Sequence, residues 1–214
     1  MEMTTERGPA PKWRKHLMGL GLGAVLGMAG AAAGMWLIES GKLGEHDGSQ
    51  VAAGAVGLVY LLTGMAVAAG AASPKLGARF LNVSDAEELH EQRKLLTLGA
   101  LSMVLSALAL FVLAAAGVMQ PSLALAMVAV LLAPTVALGI AQWRLMDELL
   151  RQVSSEAGNA AFYLTMLFGG GWALLAHLGF VTAAQPLDWI TMFFAVALLA
   201  SFAAAGSRGM LAPR

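Results

Sequence analysis

The sequence predicts an all-α membrane protein of six transmembrane helices arranged as three antiparallel hairpins. Three observations predict it. Of 214 residues, 58% are hydrophobic and 12% charged, about half the charged share of a soluble domain. Six apolar stretches are each long enough to cross about 30 Å of hydrocarbon, which takes roughly 20 helical residues. The charges fall almost entirely between those stretches, and they do so by alternate gaps.

In order, the spans lie at about 17–38, 51–72, 95–118, 123–142, 160–180 and 189–205. The first follows a basic segment, but its apolar run exceeds the roughly 7–15 residues of a signal-peptide core, so it reads as an uncleaved helix behind a flexible cytoplasmic tail over 1–15. It is written around glycine: Gly19, Gly23 and Gly27 share one spacing, and Gly30 and Gly34 repeat it on a turned face. Glycines so placed let a second backbone approach closely, which replaces the hydrophobic drive that lipid removes. Gly54, Gly57, Gly64 and Ala68 of the second span offer a matching surface. Packing inside the monomer and a homodimer through the first helix both satisfy this pattern.

The third span is entered from Ser84-Asp-Ala-Glu87, a capping-box sequence, after which nothing breaks the helix to Val118. Residues 84–94 therefore read as a cytoplasmic helical stalk. The fourth span holds Pro134, tolerable as a kink between neighbouring helices. The fifth is entered from a second stalk, 144–158, and placing Glu88-Leu-His-Glu-Gln92 over Glu148-Leu-Leu-Arg-Gln152 aligns Glu, Leu and Gln. A repeated hairpin in one orientation accounts for this, as do ordinary charged loops that are helical at their ends. Gly169-Gly-Gly171 inside the fifth span marks a hinge or a place where another helix presses in. The sixth span is short and rich in Phe.

Lys and Arg are retained on the cytoplasmic side during insertion, so their distribution orients the chain. Every Lys and Arg except Lys42 lies in the N-terminal tail, the second gap, the fourth gap or the C-terminal tail. Both termini are expected in the cytoplasm of a bacterial inner membrane, with short or acidic connections outside. The formal net charge of zero gives no basic field for direct nucleic-acid binding.

Chemistry is sparse. With no cysteine, disulfides, thiolate metal sites and cysteine nucleophiles are excluded. His-Glu-x-x-His, Gly-x-Ser-x-Gly and Gly-x-x-x-x-Gly-Lys-Ser/Thr are all absent from the sequence, so no metal, serine nucleophile or nucleotide loop is indicated, and neither an enzyme nor a cofactor is expected. No carboxylate, lysine or arginine sits within a span, which argues against ion-coupled transport. His177, near the outer end of the fifth span, and Tyr163 form the remaining polar positions of interest in the membrane, beside scattered hydroxyls such as Ser102, Ser106, Thr63 and Thr135.

The run Met146-Asp-Glu-Leu-Leu-Arg-Gln-Val153, continued by Glu156-Ala-Gly-Asn-Ala-Ala-Phe-Tyr-Leu-Thr165, resembles the charged stalk and aromatic-containing span of small uncharacterised bacterial multi-pass membrane proteins. The similarity covers roughly the C-terminal third. Some of those proteins are encoded beside helix-turn-helix regulators, and the resemblance implies a membrane anchor that holds such a regulator. The residues point the same way, because clustered charge occurs only on the stalks: Asp85, Glu87, Glu88, Glu91, Arg93 and Lys94 on one, Asp147, Glu148, Arg151 and Glu156 on the other. Mixed-charge helices of this kind dock partners through complementary potentials. The sequence-based expectation is a non-enzymatic protein that binds a cytoplasmic regulator. Its alternatives are a small transporter or channel for a neutral or apolar solute, with Ser102, Ser106, Thr135, Tyr163 and His177 lining one cavity, and an accessory subunit of a membrane complex.

Overall fold

The computed structural model describes residues 47–73 and 86–208, with side chains from Gln92 onward in the second segment. The tail, the first predicted span with Gly19, Gly23, Gly27, Gly30 and Gly34, and the Ser84-Asp85 start of the capping box lie outside the described residues. Within them the structure is helical without strands, and five helices are long and apolar enough to cross a membrane.

Helix α1 spans Gly48–Ala72 and starts where the Asp47 carbonyl accepts from the Gln50 and Val51 amides at 2.9 and 3.2 Å. Helix α2 spans Ala86–Ala114, a single element of 29 residues. It stops short of the expected Val118, and Ala116–Val118 forms a 3-10 turn instead. The reason lies downstream: Pro121 disfavours helical backbone in the residue before it, and Gln120 is extended at φ −65°, ψ 133°. Pro121 itself suits a first helical turn, where no amide partner is needed.

Helix α3 spans Pro121–Leu145 and continues through Pro134. Next to that missing amide, the Thr135 hydroxyl donates to the Leu131 carbonyl at 2.9 Å, the back-bonding that bends rather than breaks a helix. The second stalk is thereby divided: Arg144 and Leu145 finish α3, the chain turns at Met146-Asp147, and a new helix begins at Glu148. Asp147 is the cap, its carboxylate accepting from the Leu150 amide at 2.7 Å.

Helix α4 spans Glu148–Thr165, widens into one π turn at Met166–Gly170 and resumes as α5, Gly171–His177. The three pieces make one 30-residue rod. It closes with Gly179 at φ 80°, the Gly179 amide on the Ala176 carbonyl and the Phe180 amide on the Leu175 carbonyl at 3.1 and 2.9 Å. This paired closure needs the left-handed residue that glycine supplies without strain. Helix α6, Pro186–Ser207, opens with a capping box between Gln185 and Asp188.

Helices α1, α2 and α6 form the centre, with α3 packed on the outside of α2 and α4 on the outside of α6. The apolar windows of α2 and α6 are each 28% buried and that of α1 22%, against 6% for α3 and for the α4–α5 rod. Tyr60 lies at the junction with Ala107, Leu110 and Leu198. Its hydroxyl donates to the Phe194 carbonyl at 2.9 Å, and its ring meets Phe194 edge-to-face at 5.6 Å. Gly57 and Gly64 are occupied by α2: a Cβ on Gly57 would lie 3.1 Å from the Phe111 ring, and one on Gly64 3.1 Å from the Ala100 carbonyl oxygen. Gly54 meets nothing within 4 Å among the described residues, and Ala68 is exposed. The glycine surface expected to match the first span is thus half used by α2.

The triple glycine divides in the same way. A Cβ on Gly169 would come within 2.6 Å of the Trp189 ring and 2.9 Å of the Met192 methyl, whereas Gly170 and Gly171 have nothing within 4 Å among the described residues. Close approach of α6 explains Gly169. Gly169→Ala is expected to lower stability by about 1–3 kcal/mol through overpacking, and Gly170→Ala to leave it level or raise it by up to about 1 kcal/mol through helix propensity. Equilibrium unfolding in mixed micelles checks the pair, and equal effects would contradict the packing account.

Candidate functional site

The chain direction brings the starts of α2 and α4 and the ends of α1, α3 and α6 to one end of the bundle. Three side-chain contacts tie that end together. Gln142, near the end of α3, donates through Nε2 to the Leu95 carbonyl of α2 at 3.3 Å, reaching in over Gly99, whose Cβ would stand 2.7 Å from that nitrogen. Arg151 of α4 donates from Nε to the Trp143 carbonyl at 3.4 Å. Glu156 of α4 pairs with Arg208 just past α6. Every Lys and Arg among the described residues, namely Arg93, Lys94, Arg144, Arg151 and Arg208, lies at this end.

Two of the helices there are longer than the other described ones and extend well beyond the hydrocarbon thickness of a bilayer. At 1.5 Å per residue the 29 residues of α2 measure about 43 Å, and the 30 of the α4–α5 rod about 45 Å, against about 30 Å of hydrocarbon. In α2 the charged residues Glu87, Glu88, Glu91, Arg93 and Lys94 all precede Leu95, where its unbroken apolar run begins. The carboxylates and the arginine of the rod, Glu148, Arg151 and Glu156, all lie before Ala160.

The stalk residues are placed as follows. Asp85 is outside the described residues, and Glu87, Glu88 and Glu91 lie on the helical backbone of α2. Arg93 is exposed, and its carbonyl accepts from the Thr97 hydroxyl at 2.7 Å. Asp147 is engaged as a cap, Glu148 is exposed in the first turn, and Arg151 braces the α3–α4 turn. Apolar side chains sit among these charges, with Trp143, Leu145 and Leu149 about half exposed. Between α4 and α6 a groove of about 400 Å³ is lined by Leu150, Val153, Ala157, Ala161, Ala197 and Ser201, with neighbours.

The opposite end is small. Asp47 accepts from the Gln185 amide nitrogen at 2.5 Å, which ties the start of α1 to the start of α6. Trp172 donates to the Thr182 carbonyl at 2.9 Å, so this tryptophan, inside the span by sequence, anchors the loop after α5. His177 and Tyr163 are both exposed, and 14 helical residues put them about 21 Å apart along the rod; they do not share a site. Ser102 and Ser106 belong to α2, Thr135 to α3, and none of these five residues lines either groove found at the charged end. Among the described residues no group of three or more His, Cys, Asp or Glu gathers to hold a metal ion.

Sequence reasoning missed Tyr60, Gln142 and the Glu156–Arg208 pair. Gln142 was legible as an amide at the end of an apolar run; the other two depend on partners far away in the chain. Compared with family models, curated proteins and solved structures, the chain matches none.

Proposed function

We propose that this chain is a multi-pass protein of the bacterial inner membrane, non-enzymatic, with its charged end in the cytoplasm, where the starts of α2 and α4 bind a soluble partner. The partner proposed is a transcription regulator, held at the membrane, as the resemblance of the C-terminal third implies. The observation that carries this reading is the pair of overhanging helix starts at the end that also holds Arg93, Lys94, Arg144, Arg151 and Arg208. Retention of Lys and Arg on the cytoplasmic side supports the orientation. Exposed Leu145 and Leu149 beside the charges support docking, since apolar side chains outside the hydrocarbon are favoured against protein or the membrane surface.

Reversing charge at Glu87→Lys, Glu88→Lys, Glu91→Lys and Glu148→Lys is expected to reduce recovery of the cross-linked cytoplasmic partner at least about tenfold, the size of loss produced by like-charge contacts worth over 1.4 kcal/mol. Membrane insertion is expected to stay intact. Asp147 is left unchanged because it caps α4. Asp47→Asn with Asp188→Asn, at the other end, serves as the control and is expected to keep the partner. Recovery unchanged by the four reversals would end this reading.

A further inference from the structure

The start of α2 and the end of α3 assemble a cationic belt at one depth. Gln142 bonded to the Leu95 carbonyl sets Lys94 and Leu95 level with the last turn of α3, so Arg144, two residues beyond Gln142, stands at the height of Arg93 and Lys94. Arg151, bonded to the Trp143 carbonyl, joins them from α4. Among the described residues the ion pair at this end joins Glu156 to Arg208. A recess of about 370 Å³ is lined by Arg93, Lys94, Thr97 and Leu98. Its chemistry changes along one helical turn: two cations at the rim, then a hydroxyl and an apolar side chain one turn deeper, within the apolar run that starts at Leu95. Trp143, about half exposed at the same height, is the residue type that settles among headgroups.

We propose that this recess binds the phosphate headgroup of an anionic phospholipid, with the guanidinium of Arg93 and the ammonium of Lys94 on the phosphate and the glycerol and acyl chains descending past Leu98. Charge complementarity selects an anion: arginine presents a planar pair of donors to phosphate and lysine a compact point charge. Depth selects a lipid, because the cations stand where the helix passes from polar to apolar and a headgroup must be continuous with its chains. Basic recesses beside transmembrane helices are suited to such headgroups. The proposal does not depend on any protein partner.

The experiment is native mass spectrometry of the purified full-length protein released from mixed phosphatidylglycerol and phosphatidylcholine bilayers. Wild type is expected to retain phosphatidylglycerol in preference to phosphatidylcholine. Each cation near a lipid surface is worth about fivefold, so Arg93→Gln with Lys94→Gln is expected to cut that preference about 30-fold, and each single substitution about fivefold. Arg208→Gln, which removes the cation already paired with Glu156, is expected to keep it. Inorganic phosphate and glycerol 3-phosphate, at millimolar concentration, are expected not to displace the lipid. Equal retention of both lipids, full retention by the double variant, or displacement by either soluble phosphate would overturn the proposal. Both side chains are exposed, and unchanged helix content by circular dichroism separates loss of the site from loss of the fold.

Discussion

Tyr60→Ala is expected to cost about 3 kcal/mol or more, the range seen when a large aromatic is truncated in a packed core. Several contributions meet at this one side chain. The ring sits at the junction of α1, α2 and α6 against Ala107, Leu110 and Leu198, and its removal leaves a void that three rigid helices cannot collapse into. The edge-to-face contact with Phe194 adds about 0.5–1.5 kcal/mol beyond buried area. The hydroxyl bond to the Phe194 carbonyl adds about 0.6 kcal/mol, the average for polar contacts between membrane helices. Tyr60→Phe isolates that last contribution and is expected to cost under about 1 kcal/mol. Equilibrium unfolding in mixed micelles measures both, and a Tyr60→Ala loss no larger than that of Tyr60→Phe would show that the ring is not central.

Gly64→Leu is expected to separate α1 from α2, with a loss of about 3 kcal/mol, at the upper end of overpacking costs. A Cβ there would stand 3.1 Å from the Ala100 carbonyl oxygen, the Met103 Cβ and the Val104 Cγ2. Rotation about χ1 can move the Val104 Cγ2, but the Ala100 carbonyl oxygen and the Met103 Cβ are fixed by the helix backbone, so the helix axes must part. Gly54→Leu is the matched control on the same helix, since nothing described lies within 4 Å of it. Its expected cost is limited to propensity and remains under about 1 kcal/mol. A large loss at Gly54 with none at Gly64 would mean that the glycines of α1 serve a different neighbour from α2.

These two positions show how far residue types carry the argument. Gly54, Gly57 and Gly64 are equivalent in spacing to any glycine-lined helix, and spacing specifies close approach without specifying what approaches. Only the packed structure separates Gly57 and Gly64, filled by α2, from Gly54. The same holds within Gly169-Gly-Gly171, where Trp189 and Met192 press on the first glycine alone. At the charged end, Asp147 reads from the sequence as one more stalk carboxylate, but the break between Leu145 and Glu148 makes it a cap. Arg151 reads as a docking charge and is found bracing the turn to α3. Arg93 and Lys94, by contrast, keep the exposed, charged character that their sequence surroundings imply.

What the sequence determined by itself, among the described residues, is five helices long and apolar enough to cross a membrane and the segregation of charge between them. A bilayer sets a minimum apolar length, and a backbone that must satisfy its own hydrogen bonds leaves helix as the conformation; both are local properties, written in runs of about 20 residues. Helix ends were legible to within a few residues, missing where Pro121 acts on the residue before it and where Gly179 reverses the backbone. Tertiary structure alone decided which helices are central and which polar groups meet. The Tyr60 hydroxyl finds its acceptor 134 positions away, and Glu156 its arginine 52 positions away. Such pairings depend on how helices are ordered side by side, and in a medium as apolar as the side chains themselves that order is set by shape at each contact rather than by any pattern along one helix.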